Sequence, residues 1–264
     1  MVIRVNSVPL DNPSMGWIFR KGSVPYSGAD IDLGQVSLAG RDGTLATATT
    51  IRSPMYPLVV NTAPSGWPSL LALFTSQRLV LTRDDAPGLE IPVRLASSTP
   101  DRVFDRNKYI DATFLVELTG AFWRDQVAST TSVVVNAASK LLTLFPAMSA
   151  PIADAVLRVQ GAATGIQITD AAGSWVTLPN VAAGSWVRFE SATGKAFVTT
   201  TDVWTGGTDV SGAVDFGGPR GVFEITPVLT PLNPSDRRGE LTITTASRTG
   251  TSSFAVRGKS AQIL

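Results

Sequence analysis

Glycine, proline, serine and threonine interrupt this sequence roughly every 8–12 residues, and short runs of alternating apolar and polar residues lie between them. Alternation with a period of two suits a strand and not a helix, because successive strand side chains point to opposite faces. In 113–119, Phe114, Val116 and Leu118 alternate with Leu115, Glu117 and Thr119. Leu241 and Ile243 alternate with threonines in 239–245, and Phe223 and Ile225 with Glu224 and Thr226 in 222–227. These patterns predict a mainly β chain of antiparallel sheets, each strand with one buried and one wet face.

One segment reads as a helix. In "PSLLALFTSQ" (68–77) Pro68 stands where a helix can begin, and Leu70, Leu71 and Phe74 fall on one side at helical spacing. It is expected to pack on a sheet. A domain boundary is expected near residue 126. Most charged residues precede it, whereas "VASTTSVVVNAASKLLTLFPAMSAP" after it is nearly uncharged. That stretch reads as two strands, 132–136 and 140–145, opening a second domain. About eight further strand candidates follow from 155, enough for a two-sheet sandwich. The expected division is an N-terminal β-rich domain over 1–126 with one short helix, and a C-terminal antiparallel β-sandwich over 127–264.

The chain contains no histidine and no cysteine. That excludes Ser-His-Asp and Cys-His nucleophiles, the usual zinc sites, haem held by His or Cys, iron–sulfur clusters and disulfides. No cofactor or metal is expected. A net charge of +1 argues against nucleic-acid binding by counterion release, which needs a dense basic face. The longest apolar run, "LLALF" (70–74), is far too short to span a bilayer, and the N-terminus lacks the apolar core of a signal peptide. Synthesis in the cytoplasm without an address label is expected. Only 16% of residues are charged, low for a lone soluble domain, so part of the surface is expected to be covered. Arginine outnumbers lysine about three to one, a preference that suits interfaces.

Most motifs have bland readings. "DFGGPRG" (215–221) lacks every other kinase element and reads as a turn. "GRDGT" (40–44) neither follows a phosphate-loop pattern nor opens a helix. The carboxylate pairs Asp30/Asp32, Asp84/Asp85, Asp101/Asp105 and Asp202/Asp209 could in principle serve a glycosidase, and Asp30/Asp32 and Asp202/Asp209 equally calcium, but turns and caps account for them.

The phrase "AAGSWV" is more informative, because it occurs at both 171–176 and 182–187. If the copies formed one hairpin, Leu178 would pair with Ala183 and Trp175 would face Trp186 directly. Val176, Leu178, Val187 and Phe189 would then make a core face, with Trp175, Thr177, Trp186, Arg188 and Glu190 on the other. Three readings of the tryptophans remain open: a local cross-strand pair, a sugar-stacking platform, or a hot spot covered by a partner.

Order and spacing carry one family resemblance. "LAGRDGT" (38–44), "RSPMYPLVV" (52–60), the short helix and "GAFWRDQ" (120–126) are followed by "APIADAVLRVQGAATGIQITDAAGSWV" (150–176) and "AAGSWVRFES" (182–191). Across nearly the whole chain this resembles the distal tail proteins of long-tailed phages, particularly those of phages of actinobacteria. The resemblance implies a virion protein without enzymatic activity, whose N-terminal domain forms a hexameric "belt" ring and whose C-terminal domain is a galectin-like β-sandwich. It implies that the ring joins the tail tube protein to the tail-tip hub or tail-associated lysin. It places Arg41 and Asp42 in a turn of the belt domain and Phe122, Trp123, Arg124 and Asp125 at its end. As interface or glycan-stacking candidates the sandwich offers Trp175, Trp186 and Arg188. The alternative function is recognition of a cell-wall glycan, although the histidine that galectins use is missing.

Overall fold

In the computed structural model, residues 2–20, 30–32, 35–37, 44–46, 50–102, 109–230 and 232–263 are described. Arg41 and Asp42 lie outside them. The described residues are mainly β, the strands within each unit pair antiparallel, and their one α-helix is Trp67–Phe74. The chain divides into two compact units, Met1–Gln126 with Ile263–Leu264, and Val127–Gln262.

The first unit is built on one sheet with strand order Val8–Pro9, Ile3–Val5, Leu79–Arg83, Leu89–Arg102, Ile110–Leu118, Met55–Thr62, Trp17–Phe19. Alternation in Ile110–Leu118 buries Ala112, Phe114, Val116 and Leu118 on one face. The helix lies on that face. Phe74 stacks on Phe114 with ring centroids 3.9 Å apart, and Trp67 stacks at 5.8 Å. Leu70 and Phe74 are buried, and Leu71 is half-buried against the same core. Gly66 caps the helix where a Cβ would stand 2.8 Å from both the Met15 carbonyl and the Thr62 hydroxyl, so glycine is required there.

The second unit is a sandwich of two sheets. Sheet I runs Ser129–Val134, Ser253–Gly258, Val156–Gln160, Trp186–Glu190, Lys195–Thr199, Thr208–Asp209. Sheet II runs Ser139–Leu144, Asn233–Thr244, Ile166–Asp170, Trp175–Leu178, Asp215–Gly217, with Pro227–Thr230 also paired to Asn233–Thr244. The two strands that open the unit therefore part at once, one to each sheet. Between the sheets, Leu157, Val159, Val187, Phe189, Phe254 and Val256 of sheet I meet Leu142, Ile168, Val176, Leu241 and Ile243 of sheet II. Phe189 joins the layers, 5.5 Å from Phe216 and edge-on to Phe223 at 6.0 Å.

Two expectations are corrected here. The two "AAGSWV" copies do not form one hairpin. Trp175–Leu178 pairs with Ile166–Asp170 and Asp215–Gly217 in sheet II, whereas Trp186–Glu190 pairs with Val156–Gln160 and Lys195–Thr199 in sheet I. The chain between them crosses the end of the sandwich, where Val181 and Ala163 exchange backbone hydrogen bonds of 2.9 and 3.0 Å. Burial of the Val181 side chain favours this crossing over a tight return. Nor is 222–227 a half-wet strand. Glu224 is buried along with Phe223 and Ile225, and the Arg220 guanidinium folds back and pairs with its carboxylate. The regular strand begins only at Pro227.

Candidate functional site

Each copy of the repeat encodes the same local event, a glycine turn followed by a strand. Gly173 (φ 94°) and Gly184 (φ 70°) take left-handed conformations that favour glycine, and a tryptophan begins the strand two residues later. In both strands Val176, Leu178, Val187 and Phe189 point into the core. Trp175 and Trp186 therefore stand on the outer faces of different sheets and cannot form one platform. Trp175 is half-buried, lying over its cross-strand partner Gly217 with indole atoms 3.3–3.4 Å from where a Cβ would sit. Trp186 is also half-buried, and its indole N–H is enclosed without an acceptor.

Arg188 stands on the outer face of sheet I but is only 3% exposed. Its guanidinium donates to Glu190 from Nε at 3.1 Å, forms an ion pair through Nη2 at 3.0 Å, and lies over the Phe197 ring at 4.8 Å. Its Nη1 is buried without a partner. Arg158 is directly opposite Arg188 on the neighbouring strand. A loop packs on Arg158. Asp202 accepts from Arg158 at 2.6 Å, and Trp204 stacks on the Arg158 guanidinium at 4.0 Å. The loop is otherwise exposed, so Trp204 is its anchor. It returns through Gly206 and Gly207, and at Gly207 (φ 106°) a Cβ would meet Val198 O and Thr199 Cγ2 at 2.7 Å.

A third arginine completes the face. Arg257 is exposed, 5.8 Å from the Trp204 ring, and beside them opens a cleft of about 280 Å³. Sequence reasoning missed Arg158, Trp204 and Arg257. The available signal was the single aromatic between an acid and a double glycine in "DVWTGG" (202–207), which marks a pinned loop. The loop's two acids have structural duties: Asp202 pairs with Arg158, and Asp209 accepts from both the backbone N–H and the hydroxyl of Ser211. Those bonds hold the Asp209 carboxyl below its ordinary pKa.

In the first unit, Trp123 is a core residue with no exposure, and Arg83 lies 5.5 Å from its ring. Arg83 is itself buried and clamps Asp85 through Nε at 2.9 Å, which lowers the Asp85 pKa. Phe122, Arg124 and Asp125 are half-buried, so they are the members of that segment that reach solvent. Strand Trp123–Asp125 pairs with the beginning of Leu89–Arg102, Glu90 opposite Arg124. On the same sheet's outer side a polar depression of about 480 Å³ is lined by Arg4, Asn6, Arg78, Thr82, Glu90 and Gln126. Ile18 and Met55 are 49% and 57% exposed.

A β-rich unit with one helix followed by a two-sheet sandwich is a fold that has a counterpart among solved phage proteins. The particular likeness is to the Dit (gp 19.1) protein of phage SPP1, described as a paradigm of the hub adsorption apparatus in phages that infect Gram-positive bacteria. The two match with a TM-score of 0.61 over 98% of each chain, at 12% sequence identity. Two structures of the phage p2 baseplate in its activated conformation, one with Sr and one with Ca, give TM-scores of 0.43 and 0.37 at 9% identity. They cover 98% of both chains and 92% and 90%, respectively. No protein-family description and no curated protein sequence matches the chain.

Proposed function

We propose that this protein is a structural component of a phage tail tip, an adaptor that forms a ring through residues 1–126 and joins the tail tube to the distal hub or tail-associated lysin. The observation that carries this reading is the likeness of fold to SPP1 Dit, which spans both units and 98% of each chain. A structural rather than catalytic role accords with the absence of histidine and cysteine and with carboxylates committed to ion pairs and turns. A closed ring with heterologous contacts needs two different patches on each subunit. Exposed Met55, at the start of strand Met55–Thr62 of the first unit, supplies apolar surface for one of them.

Native mass spectrometry at micromolar concentration tests the ring, with a hexamer expected. Met55→Glu should shift the population to monomer, because it places a charge in the covered patch. A wild-type protein that stays monomeric both alone and with the tube protein would remove the ring from the proposal. Labelling at the distal end of the tail in intact virions tests the location separately.

A further inference from the structure

We propose that the cleft beside Trp204 binds an anionic sugar, a pyranose that carries a carboxylate or a phosphate. This goes beyond the adaptor reading and does not depend on it. Of the three arginines on the outer face of sheet I, Arg158 is matched by Asp202 at 2.6 Å and Arg188 by Glu190 at 3.0 Å. Arg257 has no ion pair among the described residues and is exposed at the mouth of the cleft. It is therefore the arginine of the three left to meet an external anion, with Lys259 also lining the cleft, and a guanidinium meets carboxylate or phosphate with two parallel hydrogen bonds.

Trp204 forms the other wall. Its indole offers an apolar surface for the C–H face of a sugar ring, and it is held in advance by the Arg158 guanidinium stacked at 4.0 Å. Because the wall is already ordered, binding does not have to freeze a mobile aromatic. Val156 and Ala128 add apolar lining beside the indole, and Asp154, Thr205 and Lys259 make up the polar part of the wall. About 280 Å³ is small for a ligand pocket and suits one ring rather than an extended oligosaccharide. A simple carboxylate would use Arg257 and leave the indole bare, whereas a neutral sugar would use the indole and leave Arg257 unmatched. An anionic pyranose uses both.

The test is calorimetric titration of the full chain with glucuronate and glucose 1-phosphate, alongside glucose, acetate and inorganic phosphate. The expected result is saturable binding of at least one anionic sugar, with the three controls at least about tenfold weaker. Arg257→Gln, an exposed substitution that should leave the fold intact, is expected to lose at least about tenfold in affinity. Trp204→Leu should lose a similar factor while Trp204→Phe retains binding, with the melting temperature of each variant measured alongside. The proposal is overturned if neither anionic sugar binds, if Arg257→Gln binds as tightly as wild type, or if acetate, phosphate or glucose binds as well as the sugars.

Discussion

Asp170 shows how a single buried residue ties down a corner. Only 3% exposed, it accepts from the Ala172 N–H at 2.9 Å through one oxygen and from the Thr226 N–H at 3.0 Å through the other. Burial raises its pKa despite those bonds, because desolvating the charge outweighs them. With a folded pKa above the unfolded one, the folded state binds the proton more tightly. Stability should therefore fall as pH rises between the two values, and the cost of the buried charge is fully present above the folded pKa. Asp170→Asn should abolish that pH dependence. Near pH 7 it should also cost about 1–3 kcal/mol, since an amide offers an N–H where one backbone N–H needs an acceptor. Denaturant titrations of both proteins across acidic pH check the two parts together. Arg188 poses a related question. Glu190→Gln should destabilise by about 1–3 kcal/mol, because it leaves a buried guanidinium without its carboxylate. Arg188→Met should cost less, because it removes the charge with the partner. If the two variants melt alike, the pair is not what holds Arg188 in place. Neither burial was legible in the sequence. Alternation assigned Arg188 and Glu190 to the outer face, but Phe197 comes from the neighbouring strand, which the strand's own pattern does not record.

Elements were most legible where their information is local. The strands containing 113–119 and 239–245 form with the expected inward faces, and the helix begins beside Pro68 and buries Leu70 and Phe74. The repeat marks the limit. Both copies of "AAGSWV" make the glycine turn and the strand that their residues dictate, yet they join different sheets, because strand partners are chosen by long-range packing. Alternation fixed which side chains turn inward and left the neighbours open. At the helix, the stack of Phe74 on Phe114 carries the docking energy, since a helix of eight residues is not stable by propensity alone. Phe74→Ala should cost about 3–5 kcal/mol by leaving a cavity against Phe114. Denaturant unfolding measures it, and a loss below 1 kcal/mol would mean the helix is held elsewhere.

At the scale of the whole molecule, the chain contains two cores rather than one. The first unit closes on a contiguous buried cluster from Ile3 to Trp123, while the sandwich closes on side chains contributed by its own two sheets. Past residue 126 the nearly uncharged stretch rich in serine and threonine supplies one edge strand to each sheet of the sandwich. We propose that the units unfold as separate cooperative steps, as domains with their own cores generally do. Scanning calorimetry of the full chain should then resolve two transitions. The substitutions described above provide the assignment. Phe74→Ala should lower one transition and leave the other in place, and Asp170→Asn should do the reverse, since the two residues belong to different cores. If each variant lowers both transitions equally, or if one transition moves as a block in both, the units are coupled and their stability is shared. That outcome would also change the expectation for assembly. A ring formed by the first unit alone should raise only that unit's transition with protein concentration, whereas coupled units should shift together.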